Sequence, residues 1–328
     1  MAKKLLTREC PKCGLESSAN SFFCPRCGQT LRSLSASCSG WKPESVSELF
    51  RVVQDRTRTD RIISPAYAVA LIVGPFAVLL LRIAVGVPAG QFGGAIGYSS
   101  LIVTSVFSVL FAKVVYDAIQ RQNNHFLRER RLREAICSLV KSSECELSQS
   151  ADAKKEVSGL IDLVTPPADT EKIRSPLWWA SVEIASFALP WVWLLSVAVL
   201  ETLGVQDTLL NPLAFLAVIV TGLAFGILEL YMMMFLMMGT WGHDARWIGF
   251  VEKARAAIAR LGYPSGTLRM ESPLPKRSFS KYLVLSALTG VFLLYWWYTL
   301  VKDPNDHFER QWKVEDQLLG LVGIGTPK

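Results

Sequence analysis

Four of the seven cysteines form a doubled motif, Cys10-Pro-Lys-Cys13-Gly and then, after ten residues, Cys24-Pro-Arg-Cys27-Gly. Two residues between thiolates let one tight turn present both sulfurs. Two such turns supply the four tetrahedral ligands that Zn²⁺ takes at about 2.3 Å. Gly14 and Gly28 follow the knuckles, where a positive φ costs nothing. Cys10, Cys13, Cys24 and Cys27 are therefore the expected ligands of one structural Zn²⁺, with no coordination position left for chemistry. A redox CxxC, the rival reading, ordinarily comes once and inside a βαβ pattern. Cys38, Cys137 and Cys145 have no partner at ligand spacing and read as ordinary cysteines.

The three histidines form a second pattern. His125, His243 and His307 each have an arginine three residues on, at Arg128, Arg246 and Arg310. Each has an acid nine residues on, at Glu134, Glu252 and Asp316. The first and third copies agree further, as NNHFLR and NDHFER. Histidine and arginine share a helix face at this spacing, while the acid points away. The expectation is three helix segments at a membrane edge, with His and Arg meeting headgroups.

Three ionisable residues, Lys113, Glu183 and Glu229, fall inside apolar runs. Buried charges there are costly and usually pair, so a Lys–Glu pair is expected. The sharper alternative is a polar pathway of a transporter or channel component. No Walker-A loop, GxSxG, HExxH or nucleotide fingerprint occurs, and the chain is read as non-enzymatic.

Of the 328 residues 51% are hydrophobic, and the formal charge is +7. Apolar runs cover about 66–86, 96–116, 177–200, 213–238 and 282–301, each near the ~20 residues that span a bilayer as a helix. The fold expectation is an all-α integral membrane protein of about five transmembrane helices with a small N-terminal zinc ribbon. Its parts are the ribbon (1–33), a linker with a short amphipathic helix (34–65), helices 1–2 (66–116) and a cytoplasmic basic helix and linker (117–176). Helices 3–4 (177–238), a cytoplasmic helix and loop (239–281), helix 5 (282–301) and a polar tail (302–328) follow. Segment 239–281 holds eight Lys or Arg against three acids, and the gaps near 90 and 206 hold no base. The positive-inside rule then puts the N-terminus and basic segments in the cytoplasm of a multi-pass cell-membrane protein. Segment 121–141 reads as a basic amphipathic helix on the membrane or continuing the second span, with Leu132, Ile136, Leu139 and Val140 as its stripe. The fifth run is expected to cross fully; a re-entrant turn at Thr289-Gly290 is the other reading.

Residues 10–28 resemble the zinc ribbons at the ends of many uncharacterised archaeal and bacterial membrane proteins. Residues 280–317, with LSALTGVFLLYWWYTLVKDPNDHFERQ, resemble a prokaryotic membrane-domain family of unknown function. That family tends to show a Thr-x-Gly turn, then Tyr-Trp and a polar Asn/His/Arg stretch. Val291-Phe292 stands where it often has Ile-Tyr. The resemblance implies architecture and habitat and brings no activity. The functional expectation is a membrane adaptor or regulator whose ribbon binds a cytoplasmic protein. Its other partner is the lipid bilayer, and nothing favours nucleic acid.

Overall fold

The computed structural model describes residues 7–9, 12–14, 16–18, 41–84, 95–147, 158–159, 171–203, 210–260, 268 and 272–323. Two short strands, β1 (Thr7–Glu9) and β2 (Glu16–Ser18), pair antiparallel. Between them Gly14 takes φ +70°, as the turn after a knuckle requires. Of the four expected ligands, Cys13 lies in this turn; Cys10, Cys24 and Cys27 lie outside the described residues.

The rest of the described chain is helical. α1 (Pro43–Gln54) and α2 (Arg56–Thr59) lead into three helical hairpins. The first pairs α3 (Pro65–Ala84) with α4 (Ala95–Leu147). The second pairs α5 (Pro176–Thr202) with α6 (Leu210–Arg260). The third pairs α7 (Phe279–Thr289) with α8 (Phe292–Leu321). Each hairpin opens the same way. Ser64, Ser175 and Ser278 stand just before the first helix, and each hydroxyl accepts from the backbone N–H three residues on. Proline follows the first two at the first helical position, where its missing N–H is not needed.

The second helices are long. At 1.5 Å per residue, α4 with 53 residues and α6 with 51 run about 75–80 Å, far beyond a ~30 Å hydrocarbon core. Among the described residues one stretch, Phe215–Ile258 within α6, is long and apolar enough to cross a membrane. Large apolar side chains stay exposed along α5, the first halves of α4 and α6, and the α7–α8 turn, where Leu288 and Val291 are 76% and 72% exposed.

Packing falls into two apolar layers with a polar one between. One core joins α1 (Val46, Leu49, Phe50) to the C-terminal parts of α4, α6 and α8 through Leu132, Ile136, Trp247, Phe250, Val314 and Leu318. Here the expected stripe of 121–141 is buried. The other core joins α4, α5, α6, α7 and α8 through Ile119, Trp179, Met233, Tyr282 and Trp296. Between them lie buried Arg121, His125, Arg128, Glu129, Arg133, His243, Asp244, Asn305, His307 and Glu315.

Three expectations change. The 282–301 run is not one helix. It breaks at Gly290 (φ +63°), and α8 folds back so that Arg277 bonds Asp303 and Tyr282 packs on Trp296. α7 is only 11 residues, about 16 Å, half the depth of a hydrocarbon core. Residues 302–321 are not a polar tail but the continuation of α8, with Phe308, Val314 and Leu318 buried. Arg128, expected at headgroups with its histidine, is instead turned inward and buried, as are Arg121 and Arg133 on the same helix, which continues the second apolar run.

Candidate metal centre

His125, His243 and His307 converge from α4, α6 and α8. Their side chains are 1–2% exposed. The Nε2 of His125 lies 3.1 Å from that of His243 and 3.1 Å from that of His307. Ring centroids are 5.1 Å apart in all three pairs. Glu129, one turn after His125 on the same face of α4, sends Oε2 into this group. It touches His243 Nε2 and lies 3.5 and 3.9 Å from those of His125 and His307.

Each imidazole is oriented from behind. The Nδ1 of His125 faces Asp60 at 3.0 Å, that of His243 faces Glu171 at 2.7 Å, and that of His307 faces Asp244 at 2.8 Å. The arginine three residues past each histidine grips the same carboxylate. Arg128 binds Asp60, Arg246 binds Glu171 and Arg310 binds Asp244. Arg133, one turn past Glu129, holds its other oxygen. Burial alone would raise these acids. The histidine and arginine neighbours outweigh it and hold Asp60 and Glu129 well below the usual carboxylate range, with Glu171 and Asp244 lowered too.

This arrangement dictates the tautomers. An ionised carboxylate can only accept, so each Nδ1 must carry the proton. In the neutral ring each Nε2 then presents a lone pair, and all three are aimed at one another and at the Glu129 carboxylate. Four acceptors in one buried space repel unless protons or a metal ion sit among them. The four donor atoms lie within 4.8 Å of one another. Imidazole nitrogens about 2.0–2.1 Å from a tetrahedral ion stand about 3.3–3.4 Å apart, close to the 3.1 Å that separates His125 from each of the other two histidines. The carboxylate–imidazole pairs behind the ligands are the arrangement that raises ligand basicity in metal sites. The set lacks thiolate and is not all oxygen, which suits a borderline divalent ion such as Zn²⁺ better than Cu⁺, Mg²⁺ or Ca²⁺.

The histidine repeat read from the sequence is thus brought together, but not at headgroups. The acids nine residues on stand elsewhere: Glu134 pairs with Arg130 on the surface and Asp316 with Arg56. Glu129, Asp60, Glu171 and Asp244 were missed. The Lys113–Glu183–Glu229 layer does not form. Lys113 is 58% exposed and pairs with Asp117 one turn on, because a flexible ammonium at a helix surface takes the nearest acid. Glu183 on α5 instead lies near enough to Glu229 on α6 for their charges to interact.

No protein-family model, no curated protein and no solved structure matches this chain, so the reading of the site rests on its geometry.

Proposed function

We propose that the protein is a non-enzymatic, multi-pass membrane adaptor whose hairpins are tied at their cytoplasmic ends by one divalent transition-metal ion. Its N-terminal zinc ribbon presents a surface to a cytoplasmic partner. The observation that carries the reading is the convergence of three imidazole Nε2 atoms and the Glu129 oxygen in one buried space. Four protein donors fill a tetrahedral shell and leave no position for substrate, which favours a structural ion over a catalytic one. The second core and the exposed apolar belt form the membrane layer, and α1 with the C-terminal parts of α4, α6 and α8 forms the cytoplasmic layer. The basic segments support that orientation.

Metal analysis of the purified full chain is the test. His243→Ala is expected to remove one ion per chain and Cys24→Ser a different one. Metal content that is unchanged by His243→Ala and Glu129→Gln together would end the metal-centre reading. Partner capture that survives Cys24→Ser and Cys27→Ser would remove the ribbon's role.

Topology has its own test. In a cysteine-free background, cysteines at Gln91 and Gln206 are expected to react with an impermeant maleimide in whole cells. One at Thr326 is expected to stay protected, since the re-entrant third hairpin returns the chain to the inner side. Labelling at Thr326 would show that the third hairpin crosses.

A further inference from the structure

The three arms are more alike than a shared histidine requires. Asp60 stands four residues before Ser64, and Glu171 four before Ser175; each serves the histidine of its own hairpin. The residue two before the histidine also recurs. Asn123 bonds both backbone groups of Arg174, just before the Ser175 cap of the second hairpin. Asn305 does the same to Ile63, just before the Ser64 cap of the first. The residue after each histidine reaches the next one round. Phe126 packs on His243 with ring centroids 4.5 Å apart, and Phe308 packs on His125 at 4.3 Å. Asp244 closes the circle on His307. These contacts run in one sense, first hairpin to second, second to third, third to first, about rings equally spaced at 5.1 Å.

The second hairpin departs from the pattern twice. It has Trp241 in place of the asparagine and Asp244 in place of the phenylalanine. Both positions face the third hairpin. That hairpin departs once: four residues before its Ser278 cap stands Leu274, not an acid. The Leu274 N–H donates to Asp244 Oδ2 at 2.8 Å, so the Asp244 carboxylate lies beside the backbone where the missing acid would start.

We infer that the chain is an internal threefold repeat with the metal on its axis, and that Asp244 is the third arm's carboxylate, relocated from position 274 to the neighbouring repeat. The inference rests on the metal-centre reading for the ion but not for the repeat. Asp244 is then a positioning residue: it orients His307 and Arg310, and an acid at 274 can replace it.

The test is a relocation. Asp244→Phe restores the phenylalanine of the other two repeats and removes the third carboxylate. Zn²⁺ affinity of the full chain in detergent is expected to fall about 10- to 100-fold. Adding Leu274→Asp is expected to recover most of that loss, and to return the visible bands of Co²⁺ bound in place of zinc toward those of the natural chain. A merely structural role for Asp244 predicts no such return of the bands. Thermal midpoints taken in chelator give a readout without metal, where Asp244→Phe lowers the midpoint and Leu274→Asp raises it again. Asp244→Asn, close to isosteric, keeps the test open if the phenylalanine does not fit, with the same affinity loss and the same rescue. A double variant no better than the single one, in affinity and in chelator, overturns the relocation. A natural chain that binds no ion at the histidines, with the rescue in chelator intact, sinks the metal reading and leaves the repeat standing.

Discussion

Stripping the ion from the histidine cluster is expected to lower the unfolding temperature by on the order of 10 °C. A ligand that binds only the folded chain, free at about a thousandfold its dissociation constant, adds ~4 kcal/mol. Each kcal/mol moves the midpoint of a chain of this general size by roughly 2–4 °C. The comparison is made in Cys24→Ser, so that loss of the ribbon ion does not enter. The pH dependence follows from the stripped cluster. Burial opposes charge on His307, but the hydrogen bonds and charges of Asp244 and Glu129 outweigh it and raise its pKa. A group raised in the fold stabilises it below the unfolded value, about 6.5, and that contribution is lost as pH rises through the folded value. The stripped protein therefore regains stability on acidification, while the loaded one loses its ion to protons. The gap between the two forms is expected to be widest at neutral and alkaline pH. A gap that widens on acidification, or no gap at pH 8, would remove the ion from the account of the fold.

Local signals in the chain announce the hairpins, and long-range ones hide the site. Ser-Pro before α3 and α5 is readable as a helix start. The apolar runs are readable as long helices, of which one stretch, Phe215–Ile258, is long and apolar enough among the described residues to cross a membrane. The His-x₂-Arg pattern is visible as a repeat, yet its partners are not local. His125 meets His243 across 118 residues and His307 across 182, and its carboxylate lies 65 residues back. A helix face shows only what lies one turn away. That reach includes Glu129, four residues past His125, and excludes Asp60, Glu171 and Asp244. The acids nine residues on caught attention because they recurred, although helical geometry already pointed them away from the histidines. The shared Asp60-x₃-Ser64-Pro65 and Glu171-x₃-Ser175-Pro176 would have given the arms, since both acids sit at one offset from a helix cap.

The third hairpin misleads by its length. About twenty apolar residues satisfy the rule for a crossing. A crossing, however, would carry His307 to the opposite face from His125 and His243, and leave Asp244 and Glu129 without the third imidazole. Gly290 resolves the conflict. Its positive φ lets α8 turn back after 11 residues of α7, and a side chain there would be strained. The turn exposes Leu288 and Val291, apolar residues suited to lipid at a hairpin tip. The same return brings Asn305 to Ile63 and Glu315 to Arg128, so the polar layer closes only if the chain folds back.

Arg128→Met is expected to cost about 3–5 kcal/mol, as much as truncating a buried aromatic in either apolar core. The guanidinium is fully buried and bridges Asp60 at 2.5 Å and Glu315 at 2.7 Å. Removing it strands two fully buried acids. They do not suffer equally. Burial already raises Glu315 above its ordinary value despite Arg128, so it can shed its charge by taking a proton. Asp60 is held far below its ordinary value and keeps its charge, supported afterwards by His125, the Thr59 hydroxyl and the Trp312 indole N–H at 2.9 Å. The loss should therefore be shared with Asp60 more than with Glu315. A double-mutant cycle separates the two. Adding Asp60→Asn to Arg128→Met is expected to cost far less than the sum of the single losses. Adding Glu315→Gln should come close to additive, within about 0.5 kcal/mol. Unfolding in detergent with the metal removed keeps the ion out of the comparison. Additivity in both cycles would mean that Arg128 fills space without neutralising charge, and the first arm would then be held by packing and not by its ion pair.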